Sequence, residues 1–378
     1  MRYNGMVIDG HVHYAWPIDP QQIDMIREKT GADALCLAVL SHFLRLSPNP
    51  DALLAKYHSS GTTYVFGCLD ASDYILHKHS FGRYFVRHTK RLLKMGCDGI
   101  KMIEGKPQYR RELQVPDFDL PVWEPFFAYA ERTALPILWH VNDPETFWDQ
   151  DNMPSFAKAQ GWGYGPDDIN NEEQYRQILA VLDRHPKLCI TFAHMFFLSA
   201  QLPRLTKILE QYENVRVDLT PGIELYENLS KTPEETAQFF KRFGERILYG
   251  TDIGGRAVLN GEKTAFNEKE SLRRAEICKA FLTGSAPETI ESDGSFLVHN
   301  PPFVLRPLDL DETALKNIFC DNFRRFAGEN PRRVHLPAVQ RECYRLKARV
   351  HRLQRRGITK FCDVRGIDDV LRLIKEDV

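Results

Sequence analysis

The segment VIDGHVHYAWP, residues 7–17, places His11 and His13 at alternate positions at the end of an apolar run. Side chains of a strand alternate between its two faces, so both imidazoles share one face and Val12 takes the other. A buried strand that ends in two ligand-type side chains needs partners from elsewhere in the chain. The number of similar runs therefore decides the fold.

Seven more such runs follow: 32–40, 63–70, 97–105, 135–141, 188–195, 214–221 and 246–255. Each is almost continuously apolar, as strands covered on both faces are. Stretches with helical spacing lie between them, at 20–30, 50–60, 81–96, 121–133, 172–185, 203–212, 233–243 and 266–283. Eight strand–helix units in succession predict an α/β fold, a (β/α)8 TIM barrel, over residues 1–330. No glycine-rich phosphate loop follows any strand, so a nucleotide-binding open sheet lacks its fingerprint. A last helix over 310–328 closes the barrel, and residues 331–378 read as an appended C-terminal helical segment.

Two connections exceed what a barrel needs. The insertion 142–171 is rich in aromatic residues, Pro, Gly and Asp, and its length points to function, as a lid over the site or as a contact between copies. Residues 285–310 form the second.

The overall charge is −1, but residues 331–378 hold 13 Lys and Arg against 6 Asp and Glu, a net of +7 that leaves −8 for the rest. Near-neutrality argues against a dedicated nucleic-acid or membrane-surface binder. The tail's apolar positions Val339, Tyr344, Leu346, Val350 and Leu353 predict a stripe that docks on the acidic barrel or joins copies of a homo-oligomer. The 8 cysteines form no C-x-x-C pair, and several sit in apolar runs as small hydrophobes. With no membrane-length apolar run and no signal-peptide start, a cytoplasmic protein with reduced thiols is expected.

In a (β/α)8 barrel the strand C-termini converge on one face, where active sites form. The first strand ends in His11 and His13, the fifth in His140, the sixth in His194 and the eighth in Asp252. Neutral imidazoles and a carboxylate are the usual ligands of a catalytic zinc, which keeps an open position for water. Any one of these histidines alone reads as packing; their joint placement at separate strand ends does not. His42, His58, His77, His79 and His88 lack that company and read as surface or core residues.

These residues, DGHVH, His140, His194 and GTDIGG, resemble the amidohydrolase superfamily, and within it the amidohydrolase-related branch of metal-dependent hydrolases and decarboxylases. The resemblance covers residues 6–328. It implies that His11, His13 and His140 bind metal. His194 is then a second metal ligand or a catalytic group beside the metal, and Asp252 binds metal and shuttles a proton. It also implies that Lys101, in the fourth-strand GIKMIEG, carries a carbamate bridging two ions; a lysine snorkelling to the strand end is the plain alternative. Glu104 is a further candidate, as a bridging carboxylate or as a substrate contact.

Trp16 and Arg256 are candidate substrate-binding residues, with Lys106, Arg110 and Arg111 as further cations suited to a carboxylate. The function expected is hydrolysis of an amide, ester or lactone in a small, carboxylate-bearing molecule, using one or two divalent ions, Zn2+ first. A bound ion lowers the pKa of water towards ~7, and Asp252 can take and return the proton. Non-oxidative decarboxylation is the alternative within the same branch, and a non-catalytic binding barrel is the alternative outside it.

Overall fold

Every one of the eight apolar runs enters a single parallel sheet in the computed structural model, which describes residues 3–14, 20–41, 47–222, 224–254, 268–291 and 302–376. The strands β1 (Ile8–Tyr14), β2 (Ala34–Val39), β3 (Thr62–Cys68), β4 (Gly99–Gly105), β5 (Ile137–Val141), β6 (Ile190–Phe192) and β7 (Val215–Asp218) pair in chain order. The eighth run is divided. β8 (Ile247–Leu248) pairs with β7, and β9 (Ile253–Gly254) pairs with β1. The sheet thus begins and ends in one stretch of chain. Between its halves Gly10 N donates to Tyr249 O at 3.0 Å and Asp252 N donates to His11 O at 2.9 Å. The wall closes, and the fold is a (β/α)8 barrel with a C-terminal helical part.

The barrel helices are α1 (Pro20–Thr30), α2 (Asn49–His58), α3 (Phe81–Met95), α4 (Glu124–Arg132), α5 (Asn171–Arg184), α6 (Leu202–Gln211), α7 (Pro233–Phe243) and α8 (Glu268–Thr283). After α8 come a short antiparallel pair, β10 (Glu288–Ile290) and β11 (Phe303–Leu305), and then α9 (Glu312–Lys316). A π-helical turn at Asn317–Asp321 joins α9 to α10 (Asn322–Ala327). Phe323 and Phe326 from α10 join Ile8, Ala34, Tyr64, Phe66 and Leu138 in a cluster inside the barrel. Gly10 is required there: a Cβ would sit 2.9 Å from the Phe323 ring and 3.0 Å from Tyr249 O.

A break in periodicity aims the opening histidines. Ile8 belongs to the interior cluster and Val12 to the outer layer. Four residues apart on a regular strand, they would share a face. The register of β1 against β2 shifts between Asp9 and Val12, and a bulge of this kind re-aims the residues that follow it. His11 and His13 are thereby turned inward while Val12 packs outside.

The insertion 142–171 is folded. It forms a 3-10 turn at Glu145–Trp148 and a short helix at Ser155–Ala159. Phe147 and Tyr164 are buried, and Trp148 Nε1 donates to Ile169 O at 3.0 Å. The tail forms α11 (Leu336–Arg355) against α2 and α3, and α12 (Arg365–Glu376) against α11 and α2. Val339, Leu346, Val350 and Leu353 are buried as the stripe predicted, but Tyr344 is 52% exposed. Cys343, one residue earlier, holds the inner position, because spacings of 4, 3, 4 and 3 from Val339 follow the helical turn. All eight cysteines are free thiols. Among the described residues no helix is long and apolar enough to cross a membrane.

Candidate metal centre

β1 and β9 lie side by side, so they deliver His11, His13 and Asp252 to one point at the C-terminal end of the barrel. The ligand atoms of these three lie within 4.8 Å of one another. Asp252 Oδ1 is 3.0 Å from His13 Nε2 and 3.6 Å from His11 Nε2. Although buried, His13 Nε2 and Asp252 Oδ1 have no partner in hydrogen-bonding geometry among the described residues. Buried polar atoms are rarely left unsatisfied. Two such atoms, one nitrogen and one oxygen, converging beside a third are the donor set of a divalent cation, and the residues fit one.

Asp252 is constrained from behind. Its φ is +58°, a left-handed conformation that a non-glycine residue adopts at a cost. The Arg274 guanidinium, from α8, donates to Asp252 Oδ2 at 3.0 Å and to the Asp252 carbonyl at 3.1 Å. Burial raises the Asp252 carboxyl, but its interactions with the His13, His194 and His11 imidazoles outweigh it and hold the group well below the usual carboxylate range. Gly250 lets this stretch pass β1: a Cβ there would be 2.8 Å from Thr220 Cγ2 and 3.0 Å from His11 Cβ.

His140 and His194 stand next to these three. Their ring centroids are 5.1 Å apart, and that of His194 is 5.9 Å from His11. Burial pushes both imidazoles down to about 4, so both are neutral at pH 7. Neither His140 nitrogen has a hydrogen-bond partner among the described residues. His194 Nδ1 meets Thr220 O at 3.1 Å; a carbonyl only accepts, so the proton is on Nδ1 and the lone pair on Nε2. His194 opens a left-handed turn, with φ of +56°, +50°, +60° and +53° at His194, Met195, Phe196 and Phe197. β6 therefore stops at Phe192, short of the strand expected to reach residue 195. The Phe197 ring lies on His194, centroids 4.8 Å apart.

Lys101 is fully buried on β4, its Nζ 2.8 Å from His11 Nε2. Burial lowers its amine to about 8. Glu104, on the same strand, is also buried, with neither carboxyl oxygen partnered among the described residues. Its charge bears on Cys68, Tyr74 and Tyr109, and it is not among the residues converging with His11. Burial raises the Glu104 carboxyl to about 7. Trp16 and Arg256 lie outside the described residues, as does His42.

The other cations expected to meet a substrate carboxylate are engaged within the protein. Lys106 Nζ binds both Asp143 oxygens, at 2.8 and 2.7 Å. Arg110 donates to Gln174, Gln177 and Asp117, and Arg111 pairs with Asp168. Asp143 also accepts the Tyr164 hydroxyl and lies 3.4 Å from His140 Nε2, so the insertion forms a wall beside the fifth-strand histidine.

Asp218, Arg274, Asp143 and Asp9 escaped the sequence reading. Asp9 accepts from Thr251 Oγ1 at 2.6 Å, Thr251 N at 3.1 Å and His11 N at 3.2 Å, tying β1 to the stretch that carries Asp252. Asp218 ends β7 and could have been found by the strand-end rule that found the histidines. Arg274 lies on a helix and carries no such signal.

The family model for amidohydrolases matches residues 86–334, about two thirds of the chain. The chain belongs to the amidohydrolase family. It is an enzyme, a hydrolase or a decarboxylase. The matched stretch holds Lys101, His140, His194, Asp252 and Arg274, whereas His11 and His13 precede it. No curated protein matches the sequence. Among solved structures, an amidohydrolase II is similar with a TM-score of 0.51 at 13% identity, over 85% of this chain and 99% of that one. An uncharacterised TIM-barrel protein from Bordetella bronchiseptica has a TM-score of 0.51 at 11% identity, over 85% and 98%. IDCase from Metarhizium anisopliae has a TM-score of 0.50 at 13% identity, over 86% and 97%. These likenesses are of fold.

Proposed function

We propose that this amidohydrolase is a metal-dependent hydrolase that cleaves an amide, ester or lactone bond of a small molecule. His11, His13 and Asp252 are its first ligands, with His140 and His194 at the same ion or beside it. The observation that carries the reading is the convergence of His13 Nε2 and Asp252 Oδ1, buried and without hydrogen-bond partners among the described residues, beside His11 Nε2. A divalent ion, Zn2+ by this donor set, supplies Lewis acidity and activates water at neutral pH.

The chain's own groups do the rest. Asp252 is the group that accepts and returns a proton, and Arg274 leaves it one oxygen, Oδ1, for that work. His194 keeps Nδ1–H on Thr220 O and turns its Nε2 lone pair away from that carbonyl. Lys101 is the place for a carbamate and a second ion. Among the described residues, Lys106, Arg110 and Arg111 are paired internally and do not offer a free cation to a substrate carboxylate.

Decarboxylation on the same residues is a second reading, supported by the fold shared with IDCase from Metarhizium anisopliae.

The test is elemental analysis of the purified protein, followed by parallel assays of hydrolysis and carbon dioxide release. Bound divalent metal and hydrolysis that His13→Ala abolishes are expected. Carbon dioxide release without hydrolysis selects the second reading. Full turnover in metal-free protein, unaffected by His13→Ala, overturns both.

A further inference from the structure

The carboxylate of Asp218 is enclosed in the barrel wall, and its two oxygens serve two different strands. Oδ2 lies 2.9 Å from His11 Nδ1. Oδ1 accepts from His194 N at 2.8 Å, from Thr220 N at 3.2 Å and from the Thr220 hydroxyl. An ionised carboxylate only accepts, so the proton of the His11 ring sits on Nδ1 and its lone pair on Nε2. The far side of the ring agrees: Lys101 Nζ, a group that only donates when charged, lies 2.8 Å from Nε2. Nε2 is also the nitrogen that faces Asp252.

We infer that Asp218 is a positioning residue that decides which nitrogen His11 presents to the centre and, through His194 N, fixes where the sixth-strand histidine begins. His11 comes from β1 and His194 from the turn after β6, far apart in the chain, and one carboxylate sets the geometry of both. Oxygen Oδ2 fixes a proton and Oδ1 fixes a backbone. A partner of this kind on a ligand histidine is worth about 10–100-fold in metal affinity. That consequence rests on His11 being a ligand; the position of the ring proton is a property of the protein alone.

Asp218→Asn separates the two. It keeps the size of the side chain and a carbonyl oxygen for the His194 and Thr220 donors. Its amide, however, turns an N–H towards His11 Nδ1, which must then become the acceptor and release its proton to Nε2. The experiment is long-range 1H–15N correlation on 15N-histidine-labelled, chelator-stripped full-length protein, with the His11 signals identified by their loss in His11→Gln. Zn2+ affinity is measured on the same samples by chelator competition.

Wild-type His11 is expected in the Nδ1–H form. Asp218→Asn is expected in the Nε2–H form, with a native circular dichroism spectrum and Zn2+ bound about 10–100-fold more weakly. An Nε2–H tautomer in the wild type overturns the assignment. So does a variant that keeps both the tautomer and the Zn2+ affinity. If Asp218→Asn does not fold, the wild-type tautomer decides alone. A wild type with the Nδ1–H tautomer but no affinity for Zn2+ leaves Asp218 in its role and removes the metal reading instead.

Discussion

An imidazole taken out of water gives up its proton more easily, and three histidines of this chain are held at about 4 by burial: His88, His140 and His194. His88 lies away from the candidate centre, where its Nδ1 accepts from Asp70 N at 3.2 Å, so it isolates the effect. In the unfolded chain its pKa is about 6.5. Between pH 6.5 and 4 the unfolded state therefore binds a proton that the folded state refuses. The stability that neutral His88 contributes is complete above pH 6.5 and is lost as pH falls towards 4. By pH 5 the loss is about 2 kcal/mol. Urea unfolding at pH 7.5 and pH 5 should show His88→Gln losing less stability on acidification than the wild type, by about that amount. Parallel profiles would contradict the burial argument.

At the scale of elements, the succession and order of the strands follow from hydrophobic patterning, and so do the strand ends at His13 and His140, whereas the inward turn of His11 and His13 comes from the register shift between Asp9 and Val12. What the pattern could not show is backbone that breaks its own preferences. FAHMFF reads as the end of a strand, yet His194 to Phe197 turn left-handed, at about 1–2 kcal/mol per residue. Only tertiary contacts can hold such a turn, and these appear once the chain is folded. Tyr175 from α5 donates its hydroxyl to Phe196 O at 2.9 Å, and the Phe196 ring stacks on Phe192, centroids 3.9 Å apart. Arg274 was equally hidden, because an arginine on a helix is a solvated residue until its helix packs against the barrel. Tyr175→Phe keeps the ring and strands a buried carbonyl. It should lower stability by about 1–3 kcal/mol. Loosening His194 should also lower turnover more than substrate affinity, a split that steady-state kinetics on this variant measures. Unchanged turnover in a destabilised Tyr175→Phe would mean that the turn serves folding and not the site.

Across the whole molecule, the charge asymmetry of the sequence is resolved by docking. The tail's apolar stripe covers α2 and α3, and one of its cations goes inside. Arg349 Nη1 reaches Asp70 Oδ2 at 2.7 Å, Asp73 Oδ1 at 2.8 Å and Ser72 Oγ at 3.0 Å, all buried in the connection that leaves β3. That connection opens at the C-terminal end of the barrel strands, so the basic helix braces the face that carries the candidate site. A buried pair is weak evidence of net stabilisation, but removing one partner leaves the other charge uncompensated. Arg349→Ala should therefore cost about 3–5 kcal/mol, far more than a surface arginine. Pairing Arg349→Ala with Asp70→Asn and Asp73→Asn removes the stranded charges and should recover a large part of that loss. Chemical unfolding of the single, double and triple variants closes the cycle. Strict additivity, with no recovery, would show that Arg349 holds the tail by packing alone and that the carboxylates of the β3 connection are satisfied without it.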